Sequence, residues 1–81
     1  MLEVNLSGSL RDAADGAASV NVEAATIREL LRKMTERYPR MNEEINHGVA
    51  VSINGRIFRD NWSEEIPTDA EVFLLPRIAG G

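Results

Sequence analysis

The sequence contains no cysteine, which excludes disulfides and any thiolate-held metal site as a source of stability. Histidine occurs once, as His47. Its neighbours Glu43, Glu44 and Asn46 do not form a metal-ligand spacing, so no metal is expected and His47 reads as an exposed loop residue. Positive charge is also in deficit: nine Lys and Arg against thirteen Asp and Glu give a formal net charge of −4. A chain with no basic run lacks the groups that neutralise phosphates, which excludes the ordinary mode of nucleic-acid binding and disfavours an anionic membrane surface. No apolar run approaches the roughly 20 residues that span a bilayer. The opening Met1-Leu2-Glu3-Val4-Asn5 has no basic stretch ahead of an apolar one, as a secretory leader would. The expectation is a cytoplasmic protein without nucleic-acid or membrane partners. There is no internal repeat and no low-complexity segment, and 81 residues allow one small domain that packing alone must hold together.

Hydrophobic residues make up 43% of the chain, and they recur in short patterns that packing can use. Leu2, Val4 and Leu6 alternate with Glu3, Asn5 and Ser7, the period of a strand with one buried face. Residues 10–18 read as a connection with one helical turn before Gly16, and residues 19–23 as a second strand with Val20 and Val22 on one side. Thr26-Ile27-Arg28-Glu29 is a capping-box pattern. Ile27, Leu30, Leu31, Met34 and Tyr38 follow at spacings of three and four, so a helix is predicted over residues 27–38, stopped by Pro39. Residues 40–48 read as polar and irregular. Val49, Val51 and Ile53 mark a third strand, Asn54-Gly55 a tight hairpin turn, and residues 56–59 the returning strand. Residues 60–70 form a loop in which Trp62 caps an edge of the core beside Ile66. Residues 71–75 make a fifth strand halted by Pro76, and residues 77–81 a flexible tail ending Gly80-Gly81.

The order strand, strand, helix, three strands, with a chain closing Leu74-Leu75-Pro76-Arg77-Ile78-Ala79-Gly80-Gly81, resembles the MoaD/ThiS family of sulfur-carrier proteins. The resemblance implies an α+β, ubiquitin-like β-grasp fold. In it a mixed sheet of four to five strands packs on one main helix, with residues 1–76 as the β-grasp domain and 77–81 as the tail. It also implies a co-substrate rather than an enzyme, one that could be the non-catalytic small subunit of a synthase. In such proteins the C-terminal carboxylate, here that of Gly81, is adenylated at the expense of ATP by an adenylyltransferase related to ubiquitin-activating enzymes. A sulfur donor, persulfide or sulfide, then displaces AMP to leave a thiocarboxylate. That group delivers sulfur to an acceptor synthase or large subunit, in molybdenum cofactor, thiamine or cysteine biosynthesis or in tRNA thiolation. No cofactor would be bound permanently, since ATP belongs to the activating partner.

Glycine suits this role because it has no Cβ to obstruct a narrow channel and reaches backbone angles closed to other residues. The expected partner-binding residues are Gly80, Ala79, Ile78, Arg77, Pro76, Leu75 and Phe73. If Val72 and Leu74 point to the core, Phe73 and Leu75 must point outward beside the tail, although the opposite assignment is open to apolarity alone. Two other readings stand beside the carrier. One is a modifier joined to target lysines through Gly81; Lys33, the only lysine here, would then be the single point for linking copies. The other is an interaction module with an idle tail. No catalytic apparatus is visible in the chain: Glu43-Glu44 and Glu64-Glu65 are adjacent acids that diverge, and Ser7-Gly8-Ser9 lacks the lysine of a phosphate loop.

Overall fold

A computed structural model describes residues 1–76. The elements run β1 (Leu2–Leu6), α1 (Ser9–Ala13), β2 (Ser19–Val22), α2 (Ile27–Arg37), α3 (Met41–His47), β3 (Val49–Ile53), β4 (Arg56–Phe58) and β5 (Val72–Pro76). The five strands form one sheet in the order β2-β1-β5-β3-β4. β1 and β5 pair in parallel, with Val4 opposite Val72 and Leu6 opposite Leu74. β1–β2, β3–β5 and β3–β4 are antiparallel. The sheet is therefore mixed, and the last strand lies at its centre.

The period-two pattern sorts side chains as it should. Leu2, Val4 and Leu6, Val20 and Val22, Val49, Val51 and Ile53, and Val72 and Leu74 are all buried on one face. α2 lies over them with Ile27, Leu30, Leu31 and Met34 turned inward. Its start is fully capped. The Glu29 N–H donates to Thr26 Oγ1 at 3.2 Å and Glu29 Oε1 accepts from the Ala25 N–H at 2.7 Å. Ile27 and Arg28 donate to the Glu64 and Trp62 carbonyls at 3.1 and 2.8 Å. The orphan donors of the first turn thus have partners, from the chain's own cap and from the 60–66 loop that crosses the helix. α2 ends where Tyr38 turns extended ahead of Pro39.

The Asn54-Gly55 hairpin has both central residues at positive φ, +51° and +88°, the geometry a two-residue turn between twisted strands requires. Asn54 also ties the turn to the neighbouring strand: its N–H donates to the Glu71 carbonyl and its Oδ1 accepts from the Glu71 N–H, each at 2.9 Å.

Beyond one-residue shifts at the end of β2, the end of α2 and the start of β5, three boundaries differ from expectation. Residues 40–48 are not irregular: Met41–His47 is a helix whose Met41 is closed to solvent, with Ile45 one turn on packed against the core. Only two apolar residues four apart mark it, too few to reveal a helical stripe, while its acids sit in the first turn and His47 in the last, as the helix dipole favours. His47 is accordingly exposed at a helix end rather than in a loop. Pro76 does not halt β5 but is its last residue, paired with Val49; at a strand's final position proline forfeits only the donor it lacks. Arg59 lies beyond β4, which ends at Phe58.

Candidate functional site

The helices cover only one face of the sheet, and the other face carries the candidate site. On β5, Val72 and Leu74 are closed to solvent, Phe73 keeps 38% of its surface exposed and Leu75 is half-buried. Phe73 and Leu75 therefore occupy the outer face, and Pro76, exposed, follows them at the strand end. The register supplies their neighbours. Phe73 lies between Asn5 of β1 and Ser52 of β3, Ser52 lies opposite Ile57 of β4, and Leu75 lies opposite Ala50. Ala50 and Ser52 are buried, yet alternate with the core residues of β3, so they form the floor between taller side chains. Ile57 is 56% exposed. The result is an apolar patch of Phe73, Leu75, Ala50 and Ile57 around one serine, on a sheet face that no helix covers among the described residues.

Charge frames the patch unevenly. Glu3 and Glu71 are exposed and directly precede the paired Val4 and Val72, which places two carboxylates at the end remote from Pro76. Arg56 and Phe58, opposite Ile53 and Val51, belong to the helix side of the sheet instead, with the Arg56 guanidinium 5.2 Å from the Phe58 ring centroid. Asn5 spans the middle, its Nδ2 donating to the Val72 carbonyl at 3.1 Å.

Pro76, the last residue of β5, lies beside the loop that follows β1. Gly8, at φ +59°, has no side chain where a Cβ would stand 3.3 Å from the Pro76 ring, so the absence of a side chain lets the two segments close up. Of the residues expected to bind partners, Phe73, Leu75 and Pro76 are thus brought together along one strand. Arg77, Ile78, Ala79, Gly80 and Gly81 lie outside the described residues. Sequence patterning missed Ala50, Ser52 and Ile57, because they join the patch only through strand register; the one available signal was Ile57, which follows the Asn-Gly turn in the outward phase. Among the described residues no three acids or histidines gather as a metal site, and no helix is long and apolar enough to cross a membrane.

A five-stranded mixed sheet with a parallel central pair, a principal helix across one face and an open second face defines the ubiquitin-like β-grasp class. The chain belongs to the ThiS family, whose model matches residues 4–81. Among solved structures it is similar to CysO of Mycobacterium tuberculosis, with 18% identity, a TM-score of 0.81 and coverage of 96% of this chain and 100% of that one. A chain of the Amycolatopsis orientalis BexX/CysO complex matches at 22% identity and a TM-score of 0.79, covering 100% of both. A putative molybdopterin converting factor subunit 1 from Pyrococcus furiosus matches at 24% and 0.79, covering 95% and 97%. These likenesses establish the shared fold. No curated protein matches the chain significantly.

Proposed function

We propose that this protein is a sulfur carrier and that its reacting group is the carboxylate of Gly81. An adenylyltransferase related to ubiquitin-activating enzymes joins that carboxylate to the α-phosphorus of ATP and releases pyrophosphate. Sulfide, or a persulfide with a reductant, displaces AMP and leaves a terminal thiocarboxylate, which passes sulfur to an acceptor enzyme. The folded body contributes no acid, base or nucleophile to these steps. It is the grip by which partners hold the end of the chain.

Family membership supports a carrier role in general, and one observation ties it to this molecule. The outer face of β5, the strand leading into the Gly80-Gly81 segment, is apolar and open at Phe73 and Leu75. An uncovered apolar cluster on a small domain marks a docking surface, and one that runs along the strand toward the reacting group would fix that group's approach. Glu3 and Glu71 at its far end call for a partner with a cationic counterpart there. A matching chain found in a BexX/CysO complex supports the general idea of a partner enzyme.

The test is intact-mass measurement after incubating the full chain with ATP, an activating enzyme of this class and sulfide. The expected product is heavier by the exchange of one oxygen for sulfur, located at Gly81 by fragmentation. Gly81→Ala is expected to block it, since the added methyl obstructs the channel. An unchanged mass with several such enzymes, or an alanine variant processed at the normal rate, would remove the proposal.

A further inference from the structure

The helical side carries a second surface that the carrier reading leaves unused. Leu31 and Thr35 on α2, Ile45 on α3 and Trp62 in the loop border an open groove of about 340 Å³, with Arg28, Arg32 and Glu36 at its rim. The groove is held in shape from both sides. The Arg28 N–H donates to the Trp62 carbonyl at 2.8 Å and the Trp62 N–H donates to the Asp60 carbonyl at 3.0 Å, which anchors the indole's backbone to the helix. The Thr35 hydroxyl donates to the Leu31 carbonyl at 3.0 Å, so it turns its methyl rather than a free donor to the surroundings.

Charge decides what fits. The chain as a whole is acidic, yet four of its nine cations, Arg28, Arg32, Lys33 and Arg37, stand on α2. Three of them have partners. Lys33 Nζ donates to the Glu23 carbonyl at 2.6 Å and Arg37 to the Asn21 carbonyl at 2.9 Å, both covering the edge strand β2 and its flank. Arg32 pairs with Glu36 at 3.2 Å, the only ion pair among the described residues. Of the four, Arg28 alone has no side-chain partner among the described residues, and it borders the apolar slot. A nucleic acid would need a row of such cations; one cation next to an apolar slot is matched by one carboxylate next to an apolar side chain.

We propose that this groove receives an acidic, amphipathic peptide segment of a partner protein, with an apolar side chain seated among Leu31, Ile45 and Trp62 and a carboxylate on Arg28. The proposal does not depend on the carrier reading. The helices cover the inner face of the sheet, so this groove and the Phe73 patch face opposite directions, and the two can be occupied together.

Trp62 is the only tryptophan, so its emission reports the groove directly. The experiment titrates the full chain with amidated heptapeptides carrying one Leu, Ile or Phe flanked by Asp and Glu, against the same peptides with Lys in place of the acids. The expected result is a saturable blue shift with the acidic set, weakened by salt. Affinity should fall about fivefold in Arg28→Gln, the worth of one partly exposed charge pair, and stay unchanged in Phe73→Ala. Arg28 is exposed, so its replacement leaves folding intact; Ile45→Ala, checked for an unchanged far-ultraviolet spectrum, should also weaken binding. No shift with any acidic peptide, equal binding of the lysine set, or an Arg28→Gln variant that binds normally would overturn the proposal. A shift that grows with protein concentration in the absence of peptide would also overturn it, by assigning the groove to a second copy of the chain.

Discussion

Val72 and Leu74 are closed to solvent, whereas Phe73, one position away on the same strand, keeps over a third of its surface open and Leu75 is half-buried. All four are large and apolar, and they share one backbone, one sheet and one pairing register. They differ only in which side of the sheet they face. On the inner side, burial under α2 converts apolar surface into stability. On the outer side no element among the described residues covers it, and the same kind of surface stays open. Under the proposed docking role, stability and recognition fall to alternate residues, and each is expected to be alterable with little effect on the other.

Substitutions on the two faces test this division. The largest effect is expected on the inner side: Leu74→Ala and Leu30→Ala, on the two surfaces that meet in the core, should each lower unfolding free energy by about 2–5 kcal/mol in urea titration. A loss below about 1 kcal/mol for Leu74→Ala would mean the inner face is not where stability resides. Phe73→Ala should weaken binding to the activating enzyme by about 1–3 kcal/mol, as expected of an interface anchor. In the urea titration the same variant should cost less than Leu74→Ala; an equal cost would erase the distinction between the faces. Thr26→Ala removes the side-chain acceptor that caps α2 and should cost about 1 kcal/mol, since the helix that closes the inner face depends on its first turn. Glu36→Gln should change stability by no more than about 0.5 kcal/mol, because Arg32 and Glu36 are both well exposed on the far side of that helix.

Much of this division is legible in the sequence alone. The alternation of Leu2, Val4 and Leu6 and of Val49, Val51 and Ile53 specified buried strand faces, and Thr26 through Tyr38 carried both a cap and an apolar stripe for α2. These signals are local: each needs only a few consecutive residues. α3 was hidden because Met41 and Ile45 supply too short a stripe, and what stabilises it is burial of Met41 under the rest of the fold. The outer patch was half legible. Period two coupled Phe73 to Leu75, but apolarity could not say which pair faced outward. Only the parallel pairing of β5 with β1, and the antiparallel pairing with β3, brought Ala50, Ser52 and Ile57 alongside. The groove by Trp62 was illegible for the same reason, since it is assembled from two helices and a loop far apart in sequence.

The position of β5 has a bearing on how the molecule comes into being. Among the described strands it comes last in the sequence and lies in the middle of the sheet, so without it β1 and β3 have nothing between them and the two halves of the sheet cannot join. Pairings between remote segments also form slowly. A nascent or partly unfolded copy therefore offers no ordered Phe73–Leu75 surface, and under the proposed docking role a partner would find its grip only on the finished fold.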